Sequence, residues 1–167
     1  MNVDKYTAIA GNYNIKDTIL ITPDQIVFDL RAVLKCRWGC DYSKSRSIKC
    51  EHHGISIEER KQMIHSYKQI FLLHNDNARV LTLACLEMEK ELYLDGYYFA
   101  FALRSCNFCA SCNAKEGKEC SHPEKVRPCE EMFGIDIYQT VRNLGLPIEV
   151  LKTSEDPQNR YGFVLIE

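Results

Sequence analysis

Apolar positions recur along this chain in helical and strand-like rhythms. In SIEERKQMIHSYKQI, Met63, Ile64, Tyr67 and Ile70 fall at helical spacing behind Ser56. Ser56 can cap that helix, with Glu59 three residues later to complete a capping box. The segment runs into IFLLHN, a short apolar stretch of strand type, after which Asn75 or Asp76 can cap a long helix reaching about Leu94. Leu81, Cys85, Met88 and Leu92 form the predicted buried stripe of that helix. Asp95-Gly96 ends it. In YYFAFALRS, bulky Tyr97, Phe99, Phe101 and Leu103 then alternate with Tyr98, Ala100, Ala102 and Arg104, which predicts a strand with a small face for close helix packing. Strand, helix and strand in this order predict a right-handed crossover within one sheet.

Further on, DIYQTVRNLGLPIEVL predicts a helix capped by Asp136 and ended by Gly145 and Pro147, leading into a strand at Ile148 to Leu151. A polar turn, TSEDPQNR, separates that strand from YGFVLIE and predicts a closing hairpin. The first 35 residues carry two patterns. Thr22 and Pro23 can open a helix, whereas IVFDLRAVL alternates enough for a strand, and the extended reading is preferred. Together the elements predict an α+β fold with helices packed on a mixed β-sheet. Two irregular Cys-rich loops, at about 35–53 and 105–130, interrupt it.

Composition narrows the classes. A length of 167 residues favours one domain over 1–167, because a second core would leave each half small. With 46% hydrophobic residues, 26% charged residues and a net charge of -2, the chain reads as an ordinary globular protein without the basic field of a general nucleic-acid binder. MNVDKYTAIAGNYN has no apolar core for a signal peptide. The longest uncharged, strongly apolar stretch, Tyr97 to Leu103, falls far short of the roughly 18 residues of a membrane span. The expectation is a soluble, cytoplasmic protein. Its nine cysteines then read as metal ligands or redox groups and not as disulfides.

The sharpest motif is CNFCASCNAKEGKEC, with Cys106, Cys109 and Cys112 in C-x2-C-x2-C spacing followed by Cys120. Two-residue gaps let neighbouring thiols converge on one centre from a single loop. Three thiols in register resemble the run that holds a 4Fe-4S cluster. Zinc is the rival, since C-x2-C hooks also build tetrahedral sites. The other constellation, KCRWGCDYSKSRSIKCEHH, spaces Cys36, Cys40 and Cys50 as C-x3-C-x9-C. These suit a Cys3His zinc site completed by His52 or His53, or a cubane with one iron open to a substrate or a fourth ligand. Between positions 35 and 50, Lys35, Arg37, Lys44, Arg46 and Lys49 oppose Asp41 alone, a net of +4 that would offset thiolate charge. A solvated basic loop, or a patch for a phosphate backbone, is the blander alternative for that charge.

Eight cysteines, namely these seven and Cys129, can ligate two 4Fe-4S clusters if Cys129 or Cys120 crosses over to complete the first loop's set. Cys85, on an apolar helix stripe, reads as a core residue. His122 reads as a hydrogen-bond donor to a cluster sulfur or a surface residue, and His65 and His74 as structural or solvent-facing. No P-loop, GxSxG, dinucleotide fingerprint or HExxH is present, so no reaction follows from motifs.

KCRWGCDYSKSRSIKC, LDGYYFAFALRSCNFCASCNAKEGKECSHPEKVRP and FGIDIYQTVRNLGLPIEVL together resemble the Cys-rich predicted metal-binding proteins grouped as domain of unknown function 2284. The resemblance covers roughly residues 26 to 151. It implies an anaerobe-associated cytoplasmic protein that binds a metal or an iron-sulfur cluster through these cysteines, and it supplies no reaction. The chain departs from the family pattern twice. Glu51, His52 and His53 stand where paired prolines are usual, and Cys129 stands where serine is usual after the RP of the second block. Three functions follow as expectations: an electron-transfer or redox subunit with one or two 4Fe-4S clusters, an enzyme with an open iron on three cysteines, or a zinc-stabilised interaction module. The corresponding partners are a redox partner protein or a small-molecule substrate.

Overall fold

Two strands with almost every position apolar set the architecture. In the computed structural model, which describes residues 1–40, 42, 50 and 55–167, β2 (Gln69–Asn75) and β4 (Arg160–Ile166) are buried at every position but their first. They lie in the middle of a sheet ordered β1-β2-β4-β3, with β1 (Asp17–Ile21) and β3 (Phe101–Leu103) at its edges among the described residues. Side chains of a strand alternate between faces, so each central strand feeds two cores. Phe71, Leu73, Val164 and Ile166 pack against α1 (Val3–Asn12) and the long α4 (Ala78–Leu94). Ile70, Leu72, Phe163 and Leu165 pack with Ile64 of α3 (Ile57–His65) and Val141 of α5 (Ile137–Asn143). The class is α+β, as the sequence predicts.

The strands β2 and β3 run in the same direction, as a crossover through α4 requires. However, β4 lies between them, so every hydrogen-bonded pair is antiparallel. The predicted capping box holds: Ser56 N donates to Glu59 Oε2 at 2.8 Å and Glu59 N to Ser56 Oγ at 3.2 Å. The stripe Leu81, Cys85, Met88 and Leu92 is fully buried. Its helix is capped one or two residues later than expected, by Asn77, because Asn75 Oδ1 accepts from Asn77 N and Asp76 pairs with Lys16. Asp136 caps α5, and Gly145 beyond it is left-handed.

Several predicted extents are corrected. Only Phe101–Leu103 of YYFAFALRS is strand. Phe99 N donates to Glu167 Oε1, and Ala100 N closes a turn onto Tyr97 O. In IVFDLRAVL, Phe28 makes an isolated bridge to Ile135, and Asp29 then caps a short helix, α2 (Leu30–Leu34). The segment Ile148 to Leu151 forms no strand, and β4 is a central strand instead of half of a hairpin. The chain there is held by Tyr161 Oη donating to Pro147 O and by Arg142 Nη2 donating to Ile148 O at 3.3 Å, while Val150 and Leu151 face solvent. No helix among the described residues is long and apolar enough to cross a membrane.

Close packing of α4 on β4 rests on Gly162, where a Cβ would lie 2.7 Å from Cys85 Sγ and 3.2 Å from Arg104 Cδ. Gly162→Ala should therefore lower stability by about 1–3 kcal/mol in urea denaturation, the usual range for overpacking a filled core. Because one contact is the Cys85 sulfur, Cys85→Ala combined with Gly162→Ala should recover part of that loss. Strict additivity of the two changes would mean that Cys85 is not what the new methyl meets.

Candidate metal centre

The first cysteine loop is built out of the end of the second. Phe28 bridges Ile135, Asp29 N donates to Gly134 O at 2.8 Å, and Asp136 N donates to Val27 O at 2.8 Å. Gly134 allows this approach with a φ of 76°. From that anchor α2 rises into a turn of π-helix, Lys35–Gly39, and Cys40 follows in extended conformation. The wider turn carries the C-x3-C pair, and Cys36 lands against Cys129, which precedes the 3-10 turn Glu130–Phe133.

Cys36, Cys40, Cys50 and Cys129 all line one cavity of about 590 Å³. Of the two cysteines left as crossing ligands by the sequence, Cys129 is the one in this cavity and Cys120 is not. Cys36 and Cys50 are buried, and Cys40 and Cys129 are partly so. The Cys36 and Cys129 side chains are hydrogen-bonded to each other, and this splits their acidity. The Cys129 thiol donating to Cys36 lowers Cys36 to about 7, with Arg60 and Arg37 adding attraction. Cys129 is pushed up by the same bond and by burial. The pair thus favours a thiolate on Cys36 with the remaining proton held on Cys129.

The second group occupies a separate loop. Cys112 precedes the 3-10 turn Asn113–Glu116, Gly117 closes that turn with a φ of 75°, and Lys118 N donates to Asn113 O at 2.9 Å to return the chain towards Cys120. Cys106, Cys109, Cys112 and Cys120 line one cavity of about 80 Å³ together with His122 and Tyr42. Tyr42 also borders the larger cavity, and its ring carries Lys115 Nζ at 5.7 Å. Cys109 is exposed, so this loop stands nearer the surface than the first. Among the described residues, no group of three or more His, Cys, Asp and Glu side chains has the geometry to hold a single metal ion. His52, His53, Asp41, Lys44, Arg46 and Lys49 lie outside the described residues.

Three arginines missed by the sequence reading fix the segment that carries Cys129. Arg127 pairs with Glu89 of α4 at 2.5 Å and donates to the carbonyls of Glu124 and Val126. Arg60 of α3, buried, donates through Nη1 to Met132 O at 2.7 Å. Arg104 Nη1 donates to Tyr161 O at 3.3 Å and lies 3.7 Å from Glu130 Oε1. Their hydropathy gave no signal, because long charged side chains read as surface until burial is seen. Cys85 has a different character: full burial pushes its thiol up to about 12, as suits a core residue. His74 is structural, bonded to Asp17 and Asn159 and stacked on Tyr161 with 4.6 Å between ring centroids.

Glu130 is almost completely buried, and burial raises its carboxyl from 4.5 to about 8. At 3.7 Å from Arg104 the contact is an ion pair by distance, yet too long for a direct hydrogen bond, so desolvation outweighs the attraction. A folded value above the unfolded one means that the contribution is complete below about pH 4.5 and is lost as the pH climbs through about 8. Glu130→Gln, which cannot ionise, escapes that loss. In metal-free protein its stability relative to wild type should rise between pH 5 and 8, by an amount on the order of a few kcal/mol in urea denaturation. A difference independent of pH would remove Glu130 as the titrating group.

The comparisons add one match. The family model described as predicted metal-binding protein (DUF2284) matches residues 19–166. Neither a curated protein nor a solved structure matches the chain. The matched region takes in both cysteine groups and all four strands except the first two residues of β1, and the chain belongs to this family of predicted metal-binding proteins.

Proposed function

We propose that this protein binds two 4Fe-4S clusters and transfers electrons as a redox subunit, within a single 1–167 domain. The observation that carries the reading is the partition of the eight cysteines other than Cys85 into two groups of four, each lining its own cavity. A 4Fe-4S cluster takes one thiolate on each iron, so four thiols around a cavity suit it, and the C-x2-C-x2-C run is of the kind that holds such clusters. When bound, the clusters supply one-electron redox chemistry.

The chain's own residues support this in four ways. The hydrogen bond from Cys129 lowers the Cys36 thiol, which lowers the cost of making a thiolate ligand. Arg60 and Arg37 place positive charge near Cys36, where it offsets thiolate charge. Tyr42 borders both cavities, so the two cysteine groups share a side chain on their borders. The exposed position of Cys109 makes the second group the natural place to meet a redox partner protein. A second reading, an enzyme with an open iron in the first loop, draws on the roughly 590 Å³ of the first cavity, which leaves room for a small-molecule substrate beside the thiols.

Anaerobically purified protein should be brown and contain about eight irons and a similar amount of sulfide per chain. Cys109→Ser with Cys112→Ser should remove about half of that iron, and Cys36→Ser with Cys129→Ser the other half. Colourless protein holding zinc would sink the iron-sulfur reading. Loss of all iron from either double variant, with the fold retained by circular dichroism, would mean one shared centre in place of two.

A further inference from the structure

The segment Pro128–Phe133 is a partition. Cys129, Glu130 and Glu131 line the cysteine cavity, while Pro128, Met132 and Phe133 line a second cavity of about 890 Å³ that contains no cysteine. Its floor is sheet, with Phe101, Leu103 and Leu165, and its opposite wall is α3 and the turn beyond, with Arg60, Met63 and Tyr67. The volume falls within the roughly 300–1,000 Å³ typical of small-molecule sites. Large apolar side chains on its border are left in contact with water, Met63 at 42% and Phe99 at 62% exposure. An apolar occupant would cover them.

Charge defines the occupant further. Arg60 is 4% exposed and lines this cavity, and one of its nitrogens is committed to Met132 O. Among the described residues no carboxylate lies within ion-pair distance of it. Arg60 feels the Cys36 and Cys129 thiols across the partition, but on the side of this cavity no carboxylate meets it, and an anion there would lower the cost of its burial. Lys68 lines the same cavity from the turn that enters β2. We propose that the cavity bounded by α3, β3, β4 and Pro128–Phe133 binds a small amphipathic acid, its aromatic or aliphatic body against Phe99, Phe101 and Phe133 and its acidic group at Arg60.

The site contains no cysteine, but Arg60 also faces Cys36 and Cys129 across the partition, so it is tested on protein purified anaerobically with its metal in place and with the iron content of each variant measured. The probes are 8-anilinonaphthalene-1-sulfonate and its uncharged analogue N-phenyl-1-naphthylamine, titrated by calorimetry and fluorescence. The sulfonate should bind at one site per chain. Met63→Trp, which fills the cavity from its exposed side, should weaken both probes by about tenfold or more. Arg60→Met should weaken the sulfonate by a similar factor and leave the neutral analogue unchanged, and Arg60→Lys should restore part of the loss. Should Arg60→Met fail to fold, Met63→Trp alone decides the location, and the ratio of the two probes' affinities in wild type decides the charge. Non-saturable binding, or wild-type affinity in Met63→Trp, overturns the site. Equal affinity of the two probes overturns its acidic specificity. Iron content unchanged by Met63→Trp shows that the result bears on this cavity alone.

Discussion

The segment from Arg127 to Phe133 has little regular structure, yet the first cysteine group takes Cys129 from it, and arginines hold it in place. Arg127 ties its start to Glu89 on the long helix, Arg104 reaches Glu130 in its middle, and Arg60 binds the carbonyl of Met132 near its end. Each of these comes from a different element packed on the sheet: the 3-10 loop after the second cysteine group, the end of β3, and α3. A loop with few apolar residues of its own can be fixed this way, because the guanidinium offers several donors in a rigid fork and stays charged when buried. The price is two buried cations, Arg60 and Arg104, and a partly buried one, Arg127, offset by carboxylates, by carbonyls and, around Cys36, by a thiol held low.

That constraint also explains why the first cysteine loop works from a distance. Cys36 and Cys129 are 93 positions apart in the chain, and nothing in the spacing of either motif joins them. They meet because Val27 to Asp29 pair with Gly134 to Asp136 through backbone hydrogen bonds, so α2 and the 3-10 turn start from one strand-like seam. Gly134 is the hinge of the seam. A Cβ there would stand 3.4 Å from Ile57 and 3.8 Å from Val33, in a left-handed conformation that side chains resist.

What the sequence made legible follows from the range of the interactions involved. Local rules held: the Ser56 and Glu59 capping box, the Asp136 cap, the left-handed Gly145, and the buried stripe of Leu81, Cys85, Met88 and Leu92 are set within a few residues. Judgements that needed the sheet did not. YYFAFALRS alternates like a strand, but only Phe101–Leu103 find a partner, since β4 is bonded to β2 along its whole length and to β3 at three positions alone. IEVL was taken for a strand on its apolar content, whereas only its first residue is buried. At the candidate site, the grouping of Cys106, Cys109, Cys112 and Cys120 was readable from spacing, because one tight loop carries all four. The spacing leaves the first loop open to completion by Cys129, Cys120, a histidine or a substrate, since a contact made through a seam of backbone hydrogen bonds has no sequence period. The three arginines were invisible for the reason that any buried charge is: its partners are carbonyls and carboxylates supplied by other elements.

The two cysteine groups also differ in depth, and this gives the iron-sulfur reading a direction. Cys36 and Cys50 are 6% and 7% exposed, beside a cavity of about 590 Å³ that Arg104, Arg160 and Tyr161 also line. Cys109 of the second group faces solvent, and the loop around it is held by short polar contacts such as Ser111 to Glu116 at 2.9 Å and Asn113 to Ser121 at 3.0 Å. Burial disfavours added negative charge, and nearby arginines oppose that effect, so on the iron-sulfur reading Arg60 and Arg37 would tune the inner centre's potential and water the outer one's. An electron entering at the surface would therefore pass from a solvated centre to one whose charge is balanced by fixed guanidinium groups. On this reading Arg60, which holds the end of the Cys129 segment, is also one of the groups that would set the inner centre's affinity for the electron, so geometry and potential are coupled through that side chain.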